Sequence, residues 1–369
     1  MPEPLKNMYN PTSLKKLALN IQSAYSPFQT DEFLASTLDE TWNSLELKAR
    51  CRKITTSLRK YLPNDYREAI DVINRAIITF GSYGSWTEND CMFFPDFVEM
   101  YGQNEENWDI SIDAMARYTP YATAEFAVRP FLINHEERMM AQMYAWAKHE
   151  NEHVRRLASE GCRPALPWAQ ALPKYKQDPA PILPILAQLK NDPSLYVRRS
   201  VANNMNDISK THPDLVAKLA KEWYGDNEHT NWIVKHACRT LLKQGNTDVL
   251  ALFGFHNVTS VNVDDFALAS TSVLLGEDIT FSFAISAKEA AKTRLEYAIG
   301  YMKANGKQRR KIFQISEVQL KANEKKLYSK NHSFADVSVR KHYPGIHSIT
   351  LIVNGAEQGT LDFELCTSN

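Results

Sequence analysis

The sequence lacks the features of secreted, membrane-spanning and low-complexity proteins. Its five cysteines are odd in number and widely spaced, which is typical of free thiols in a reducing compartment rather than of a disulfide framework. No apolar window reaches the ~18 residues that a membrane span requires, and the first residues lack the apolar core of a signal peptide. Thirteen glycines and 17 prolines are too few for a collagen-like or low-complexity chain. We therefore expect a globular, cytoplasmic protein with no membrane partner.

The common signatures of metal, nucleotide and serine-hydrolase sites are also missing. No group of His, Cys and Asp has the spacing of metal ligands, and no glycine-rich loop is suited to cradle a phosphate. A Gly-x-Ser-x-Gly nucleophile motif is absent as well. The sequence therefore predicts neither a cofactor nor a metal.

A net charge of zero hides an uneven distribution of charge. The chain has 43 basic and 43 acidic side chains, which taken alone argues against a nucleic-acid-binding protein. Residues 1–147, however, hold 14 basic and 20 acidic side chains, whereas residues 148–243 hold 15 and 10. Residues 288–341 hold 14 basic and 5 acidic side chains. An acidic region thus masks two basic ones, and these are compatible with a polyanionic partner.

The periodicity of apolar residues divides the chain into two domains. It is helical up to about residue 255 and alternates beyond about residue 258, where turn signals such as Asn354-Gly355 separate β-branched runs. Short strands over about 110 residues predict an immunoglobulin-like β-sandwich, although the Cys and Trp spacing of an antibody domain is absent. We therefore expect a mainly α chain, with a helical domain over residues 1–256 and a small C-terminal immunoglobulin-like β-sandwich over residues 257–369.

The helical domain contains an internal repeat. The segment Val154–Ala158 matches Val197–Val201, which lies 43 residues later, and Val234–Cys238 follows after a further 37 residues. Two helices per unit of about 40 residues are typical of HEAT or armadillo repeats, which stack into a curved solenoid. We predict a HEAT-like α-α superhelix, with chance similarity of amphipathic helices as the alternative.

The second repeat unit carries a polar stripe. Arg199, Asn203 and Asp207 are spaced four residues apart and therefore share one helical face. Shifted by the repeat spacing, the stripe predicts one polar patch across neighbouring units, formed by Arg156, Glu160, Arg199, Asn203, Asp207 and His236. The alternative is a solvated face with ion pairs within each helix.

Three segments resemble motifs of a known enzyme family. Ala124–Phe131, Ala158–Trp168 and Ser200–Lys210 look like the AlkC branch of the HEAT-like-repeat DNA alkylation-repair glycosylases. The C-terminal β domain favours AlkC over the related AlkD branch, whose members end after the repeats. The resemblance covers essentially the whole chain, with small departures at Cys162 and Ala165 that would affect the preference among lesions.

The resemblance implies a monofunctional DNA N-glycosylase of base excision repair. Its substrates would be bases made cationic by alkylation, namely 3-methyladenine, 3-methylcytosine and 1-methyladenine, in double-stranded DNA. It also implies that the lesion is not flipped into a pocket, which departs from the usual glycosylase scheme. The solenoid would grip the duplex and the β domain would clamp it. We expect a monomer that associates with the nucleoid.

The chemistry of this reaction indicates which side chains are needed. A cationic base is already a good leaving group, so the difficult part is the positive charge that develops on the sugar, which a nearby carboxylate stabilises. A second carboxylate can hold or deprotonate the attacking water, and an aromatic face adds cation–π attraction. By resemblance, the family's active-site positions are Glu125, Glu160, Asp207 and Trp168.

Each of these four residues also has a structural interpretation. Any of the carboxylates can form an ion pair near its own helix, Glu125 can instead cap a helix and Asp207 the next turn, and the tryptophan can pack after a proline corner. The possible partners are Arg129 for Glu125, Arg156 or Arg163 for Glu160, and Lys210 for Asp207.

Binding to DNA requires phosphate contacts, which come mainly from Lys and Arg. Candidates on the helical domain are Arg155, Arg156, Arg163, Arg198, Arg199, Asn203, Asn206, Lys210, Lys235, His236 and Arg239. Candidates on the β domain surround a predicted turn and are Lys303, Lys307, Arg309, Arg310 and Lys311. We expect about half of the first group to contact DNA, because one arginine of each Val-Arg-Arg pair can instead bridge adjacent repeats. The basic turn can also serve only as a solubilising loop.

A second class of function fits the same architecture. HEAT solenoids are often interaction proteins, so the alternative is a non-catalytic scaffold that binds DNA or a protein. Carboxylates within a basic face argue against a scaffold for DNA, since they repel phosphate.

Overall fold

The computed structural model describes residues 3–82, 91–256, 261–336 and 341–367. Helices extend from the N-terminal region to Leu252, and strands begin at Val261. This order confirms the prediction of a mainly helical part followed by a β domain. Within the described ranges, no helix is both long and apolar enough to cross a membrane.

Sixteen α-helices are described, joined in places by short 3-10 turns. Their bounds are α1 Pro11–Ala24, α2 Thr30–Thr37, α3 Leu47–Tyr61, α4 Tyr66–Ser82, α5 Phe93–Tyr101, α6 Trp108–Tyr118, α7 Val128–Asn134, α8 Glu136–Trp146, α9 Glu152–Gly161, α10 Pro173–Gln177, α11 Leu183–Leu189, α12 Leu195–Ile208, α13 Pro213–Trp223, α14 Glu228–Ala237, α15 Arg239–Lys243 and α16 Thr247–Leu252. The 3-10 turns are Leu5–Met8, Trp42–Ser44, Glu105–Asn107 and Ala180–Ile182.

The three matching segments of the sequence lie on successive helices of a stack. They fall on α9, on α12 and at the end of α14, and α12 packs against both α9 and α14. Val154, Val197 and Val234 are buried, as a core position repeated in each unit requires. Helix α9 begins after Asn151, whose side-chain oxygen accepts a hydrogen bond from the His153 N–H at 2.8 Å. These contacts agree with the predicted helical repeats.

The chain forms two compact units. One unit contains Met1–Thr211 and Gly225–Ala237, and the other contains His212–Tyr224 and Cys238–Asn369. Helices α13, α15 and α16 therefore group with the strands. The domain boundary at residues 256 and 257 stays a prediction, because residue 257 lies outside the described residues.

The β domain is built from two sheets. The strands are β1 Val261–Leu268, β2 Ser272–Leu274, β3 Asp278–Ala287, β4 Ala291–Met302, β5 Gln308–Leu320, β6 Lys325–Ser333, β7 Gly345–Val353 and β8 Ala356–Cys366. One sheet has the order β1-β3-β6 and the other β2-β8-β7-β4-β5. All pairings are antiparallel except that of β2 with β8. Buried residues of both sheets, such as Phe281, Tyr297 and Leu351, share one apolar core.

The predicted Asn354-Gly355 hairpin joins β7 to β8. Both residues have positive φ, +46° and +80°, which is the backbone conformation that this dipeptide favours in tight hairpins. The Asn354 side chain accepts a hydrogen bond from the Arg294 N–H at 2.7 Å and donates one to the His256 carbonyl at 3.2 Å. Gly355 lies against the backbone of Gly245, between α15 and α16. The hairpin tip therefore joins the β-sandwich to the last helices of its own unit.

Candidate active site

The three candidate carboxylates come from three different places in the chain. Glu125 lies in the turn before α7, Glu160 in the last turn of α9, and Asp207 in the last turn of α12. Because α9 and α12 pack side by side, the ends of these two helices bring Glu160 and Asp207 near the same arginine.

These carboxylates alternate with basic side chains in one connected series, which we call the charge cluster: Glu125, Arg156, Glu160, Arg163, Asp207 and Lys210. Arg156 lies 2.5 Å from Glu125 (Nη1 to Oε2) and 3.5 Å from Glu160 (Nη2 to Oε1). Arg163 then joins Glu160 to Asp207, and Lys210 Nζ lies 2.9 Å from Asp207 Oδ1. Of the structural partners that the sequence allowed, those of Glu160 and Asp207 are present, whereas Glu125 pairs with Arg156 and not with Arg129.

Most of the charge cluster is shielded from water. Glu160 and Asp207 are each 5 % exposed, and only Lys210 at the end of the series has a largely exposed side chain. Burial penalises a charged guanidinium, but Glu160 and Asp207 offset this and hold the pKa of Arg163 above its ordinary value. A buried charge of this kind is stable only when it is paired and hydrogen-bonded. The ion pairs therefore make it possible to bury these charges, and burial in turn strengthens the interactions between them.

Trp168 is presented at the surface rather than packed in the core. Trp168 is 70 % exposed. Its backbone φ of +61° is uncommon for residues other than glycine. Lys48 of α3 donates a hydrogen bond to the Trp168 carbonyl at 2.8 Å. The same ammonium lies 4.5 Å from the centre of the Phe126 ring, next to Glu125. Lys48 thus links the segment of Trp168 to that of Glu125.

Arg129 supports the site, a role that the sequence did not reveal. It is 1 % exposed and donates hydrogen bonds to the carbonyls of Gly161 (2.9 Å), Arg163 (3.0 Å) and Gln170 (2.5 Å). Its pKa is lowered to about 10, mainly by burial. The side chain therefore fixes the loop that follows α9 and carries Trp168. The only signal in the sequence is its place in the matched segment before Pro130.

Some predicted DNA-binding residues of the helical part are bound to other residues of the chain, whereas others are exposed. Arg155 pairs with Asp192 at 2.6 Å, and Arg198 donates to the carbonyls of Asp192 and Pro193 at 2.8 Å each. The bond between Arg155 and Asp192 matches the alternative in which one arginine of each pair bridges adjacent repeats, whereas Arg198 bonds within its own repeat. Arg199 is exposed and forms no hydrogen bond or ion pair with any residue that the structure describes.

The remaining candidates of the helical part also fall into exposed and covered groups. Asn206 is buried, whereas Asn203 and Arg239 are partly exposed and Lys235 is exposed. His236 stacks on Trp232 with 5.0 Å between ring centres. Contact of any of these residues with DNA stays a prediction.

The basic stretch of the β domain forms a turn and the start of a strand. Residues 303–307 connect β4 to β5, and the Lys303 N–H donates to the Lys307 carbonyl at 3.0 Å. Arg309, Arg310 and Lys311 are exposed on β5. Arg310 also pairs with Glu357. The turn is thus present, and its binding to DNA stays a prediction.

The part of the chain that the structure describes contains no cluster of three or more His, Cys, Asp or Glu side chains arranged to hold a metal ion.

Comparisons with known proteins cover both the helical part and the β domain. A family model described as "DNA alkylation repair enzyme" matches residues 101–241, and a model for the C-terminal Ig-like domain of YhaZ matches residues 262–367. The uncharacterised protein YhaZ of Bacillus subtilis is 46% identical over 98% of this chain and 99% of its own length. The structure of Pseudomonas fluorescens alkylpurine DNA glycosylase AlkC, bound to DNA containing an abasic-site analogue, covers 99% of this chain and 100% of that chain, with 35% identity and a TM-score of 0.93.

The helical repeats, the Ig-like domain and the matched residues define a DNA alkylation repair protein of the helical-repeat class. Because the similarity to AlkC extends over both the helical part and the β domain, the chain belongs to the AlkC-type family of that class.

Proposed function

We propose that this protein is a monofunctional DNA N-glycosylase that removes cationic alkylated bases, namely 3-methyladenine, 3-methylcytosine and 1-methyladenine. One observation carries the proposal: three carboxylates belong to a single, largely buried charge cluster on the chain segments that also present an exposed Trp168. The match to the alkylpurine glycosylase AlkC over essentially the full length supports the same class of reaction.

The proposed reaction needs charge stabilisation rather than a proton donor. The bond between the base nitrogen and C1′ breaks, and its electron pair leaves with the base, which becomes neutral. The positive charge that remains on the sugar is stabilised by a carboxylate held where little water competes. Water then adds to C1′ and gives up its proton to a carboxylate or to solvent.

The hydrogen bonds of the cluster suggest how these tasks are divided. Both oxygens of Asp207 are occupied, one by Arg163 and one by Lys210. Glu125 Oε1 and Glu160 Oε2 receive no hydrogen bond from any described residue. We infer that Asp207 acts through its charge and that Glu160 or Glu125 holds the attacking water. Trp168 supplies an aromatic face for the cationic base or the sugar.

Duplex DNA containing an alkylated base is the proposed partner. The exposed residues among the predicted DNA-binding candidates of the helical part, with Arg199 as the clearest, bind phosphates, and the basic turn of the β domain provides a second contact. The lesion is not flipped into a pocket in this proposal. The protein acts as a monomer in the cytoplasm, at the nucleoid.

The direct test is to incubate the protein with methylated duplex DNA and to measure the released free bases by mass spectrometry. We expect release of 3-methyladenine by the wild type and its loss, by at least a hundredfold, in Asp207→Asn and Glu160→Gln. Lys218→Gln is the control, because its side chain is exposed and lies outside the cluster. No base release from a folded wild-type protein that binds DNA would refute the proposal and favour the non-catalytic scaffold.

A further inference from the structure

We propose that Arg163 is a positioning residue that holds Glu160 and Asp207 in place, and not a ligand of DNA phosphate. This inference rests on the proposed function and reassigns a residue that the sequence placed among the phosphate contacts. It concerns the way in which two carboxylates from different repeats are kept together.

Two of the three nitrogens of the Arg163 guanidinium, Nη1 and Nε, bind the two carboxylates. Its Nη1 donates to Glu160 Oε1 at 2.5 Å, and its Nε donates to Asp207 Oδ2 at 2.8 Å. These acceptors are 47 residues apart in the chain and lie on α9 and α12. The planar fork of arginine can bind two carboxylates at once in a fixed geometry, which the single ammonium of lysine does less well. Arg163 therefore sets the distance between Glu160 and Asp207.

Burial makes a phosphate contact at Arg163 unfavourable. The side chain is 9% exposed, and those of its carboxylate partners are 6% and 3% exposed. A phosphate that took Nη1 or Nε would leave a carboxylate buried without its partner, which is costly. In contrast, Arg199 on α12 is exposed and has no such partner among the described residues.

The backbone of Arg163 is itself held in place. The Arg163 N–H donates to the Glu160 carbonyl at 3.2 Å, and its carbonyl accepts a hydrogen bond from the buried Arg129 at 3.0 Å. The peptide groups on both sides of the Arg163 Cα are thus held by hydrogen bonds. A residue that is anchored in this way can hold its partners at a constant separation.

Two measurements separate a positioning role from a phosphate contact. The first is the single-turnover rate of base release at saturating protein. The second is the slope of log Kd against log salt concentration, measured on a duplex that contains a tetrahydrofuran abasic-site analogue. Removal of one phosphate contact reduces that slope by about 1, whereas loss of a positioning residue leaves it unchanged.

The variants are Arg163→Gln, Arg163→Lys, Arg199→Gln and, as a control, Arg117→Gln, whose exposed side chain pairs only with Asp113 in the described structure. We expect Arg163→Gln to release bases at least tenfold more slowly with an unchanged salt slope. Arg163→Lys should recover part of the rate, because it keeps the charge but bridges the carboxylates poorly. Arg199→Gln should reduce the salt slope by about 1, and Arg117→Gln should match the wild type.

The results overturn the proposal if Arg163→Gln releases bases at the wild-type rate or reduces the salt slope by about 1. If thermal unfolding shows that Arg163→Gln does not fold, Arg163→Lys decides: a normal rate refutes the positioning role, and a reduced rate with an unchanged slope supports it. Failure of the wild type to release any base would refute the proposed function instead. The salt slopes would then still show whether Arg163 contacts phosphate.

Discussion

A methyl group added at Gly355 should destabilise the C-terminal unit strongly. The Cβ of an alanine there would lie 2.8 Å from the Gly245 Cα and 2.8 Å from the Leu250 Cδ1. Overpacking of this kind costs about 1–3 kcal/mol, since a backbone atom cannot simply rotate away. The φ of +80° adds about 1 kcal/mol for a residue with a side chain. The expected total for Gly355→Ala is about 2–4 kcal/mol.

Gly276→Ala isolates the backbone part of this cost. Gly276 has φ +99°, but a Cβ placed there would meet no atom within 4 Å. Only the conformational penalty remains, so we expect a loss of about 1 kcal/mol. For a unit of this size, about 1 kcal/mol lowers Tm by roughly 3 °C. The predicted decreases are therefore about 3 °C for Gly276→Ala and about 6–12 °C for Gly355→Ala.

Differential scanning calorimetry of the full chain, with both variants and the wild type at one pH and salt concentration, measures these changes. The transition of the C-terminal unit should shift, because the hairpin tip and residues 245–250 belong to that unit. Equal shifts for the two variants would refute the reasoning, since they would mean that the hairpin tip does not pack against Gly245.

Three further predictions concern the site and the two units. Lys48→Met should slow base release about tenfold with little change in Tm, because the hydrogen bond from Lys48 to the Trp168 carbonyl helps to hold the uncommon backbone conformation of Trp168. Lys48→Arg should retain most of the rate. Equal rates of the wild type and Lys48→Met in single-turnover assays would contradict this. Burial lowers the pKa of His347 in the folded protein. The stability that goes with the neutral imidazole is fully present above pH about 6.5 and is lost as the pH falls toward the lower folded-state pKa. The Tm of the wild type should therefore fall more than that of His347→Gln between pH 7.5 and pH 5.5. Iodoacetamide should alkylate Cys366 of the folded protein before Cys162, because Cys366 is partly exposed whereas burial raises the pKa of Cys162 to about 12. Peptide mass spectrometry that finds Cys162 modified as fast as Cys366 would contradict the burial of Cys162.

The sequence was sufficient to predict that Glu160 and Asp207 lie on neighbouring helices. The repeat spacing placed the Arg156 and Arg199 helices side by side, and the spacing of four residues put Asp207 on the polar stripe. Both arguments depend on local periodicity, which a repeat protein translates directly into neighbouring helices. The ion pairs of Glu160 and Asp207 were also accessible in this way, because their partners lie three or four residues away.

Contacts that bridge distant segments could not be predicted in the same way. Arg163 lies beyond the end of α9, and its bond to Asp207 spans 44 residues. Lys48 reaches the Trp168 carbonyl across 120 residues. Arg129 binds one carbonyl at the end of α9 and two in the loop after it, although its neighbours in the sequence suggested only an ion pair with Glu125. Such contacts are set by packing and by the need to satisfy buried polar groups, neither of which has a sequence period.

The alternation of acidic and basic side chains in the charge cluster reduces the repulsion between its carboxylates and DNA. Three carboxylates near a polyanion repel it, and an exposed set would weaken binding. Here each of the three has at least one basic partner, and Glu160 and Asp207 are buried, so their negative charge is largely compensated at the distance of a phosphate. A sugar bound next to one carboxylate would feel the charge of that carboxylate more strongly than the charges of the rest of the cluster. Salt screens a buried ion pair only weakly. Affinity for DNA should therefore fall steeply as salt increases, whereas the rate of base release at saturating protein should change little.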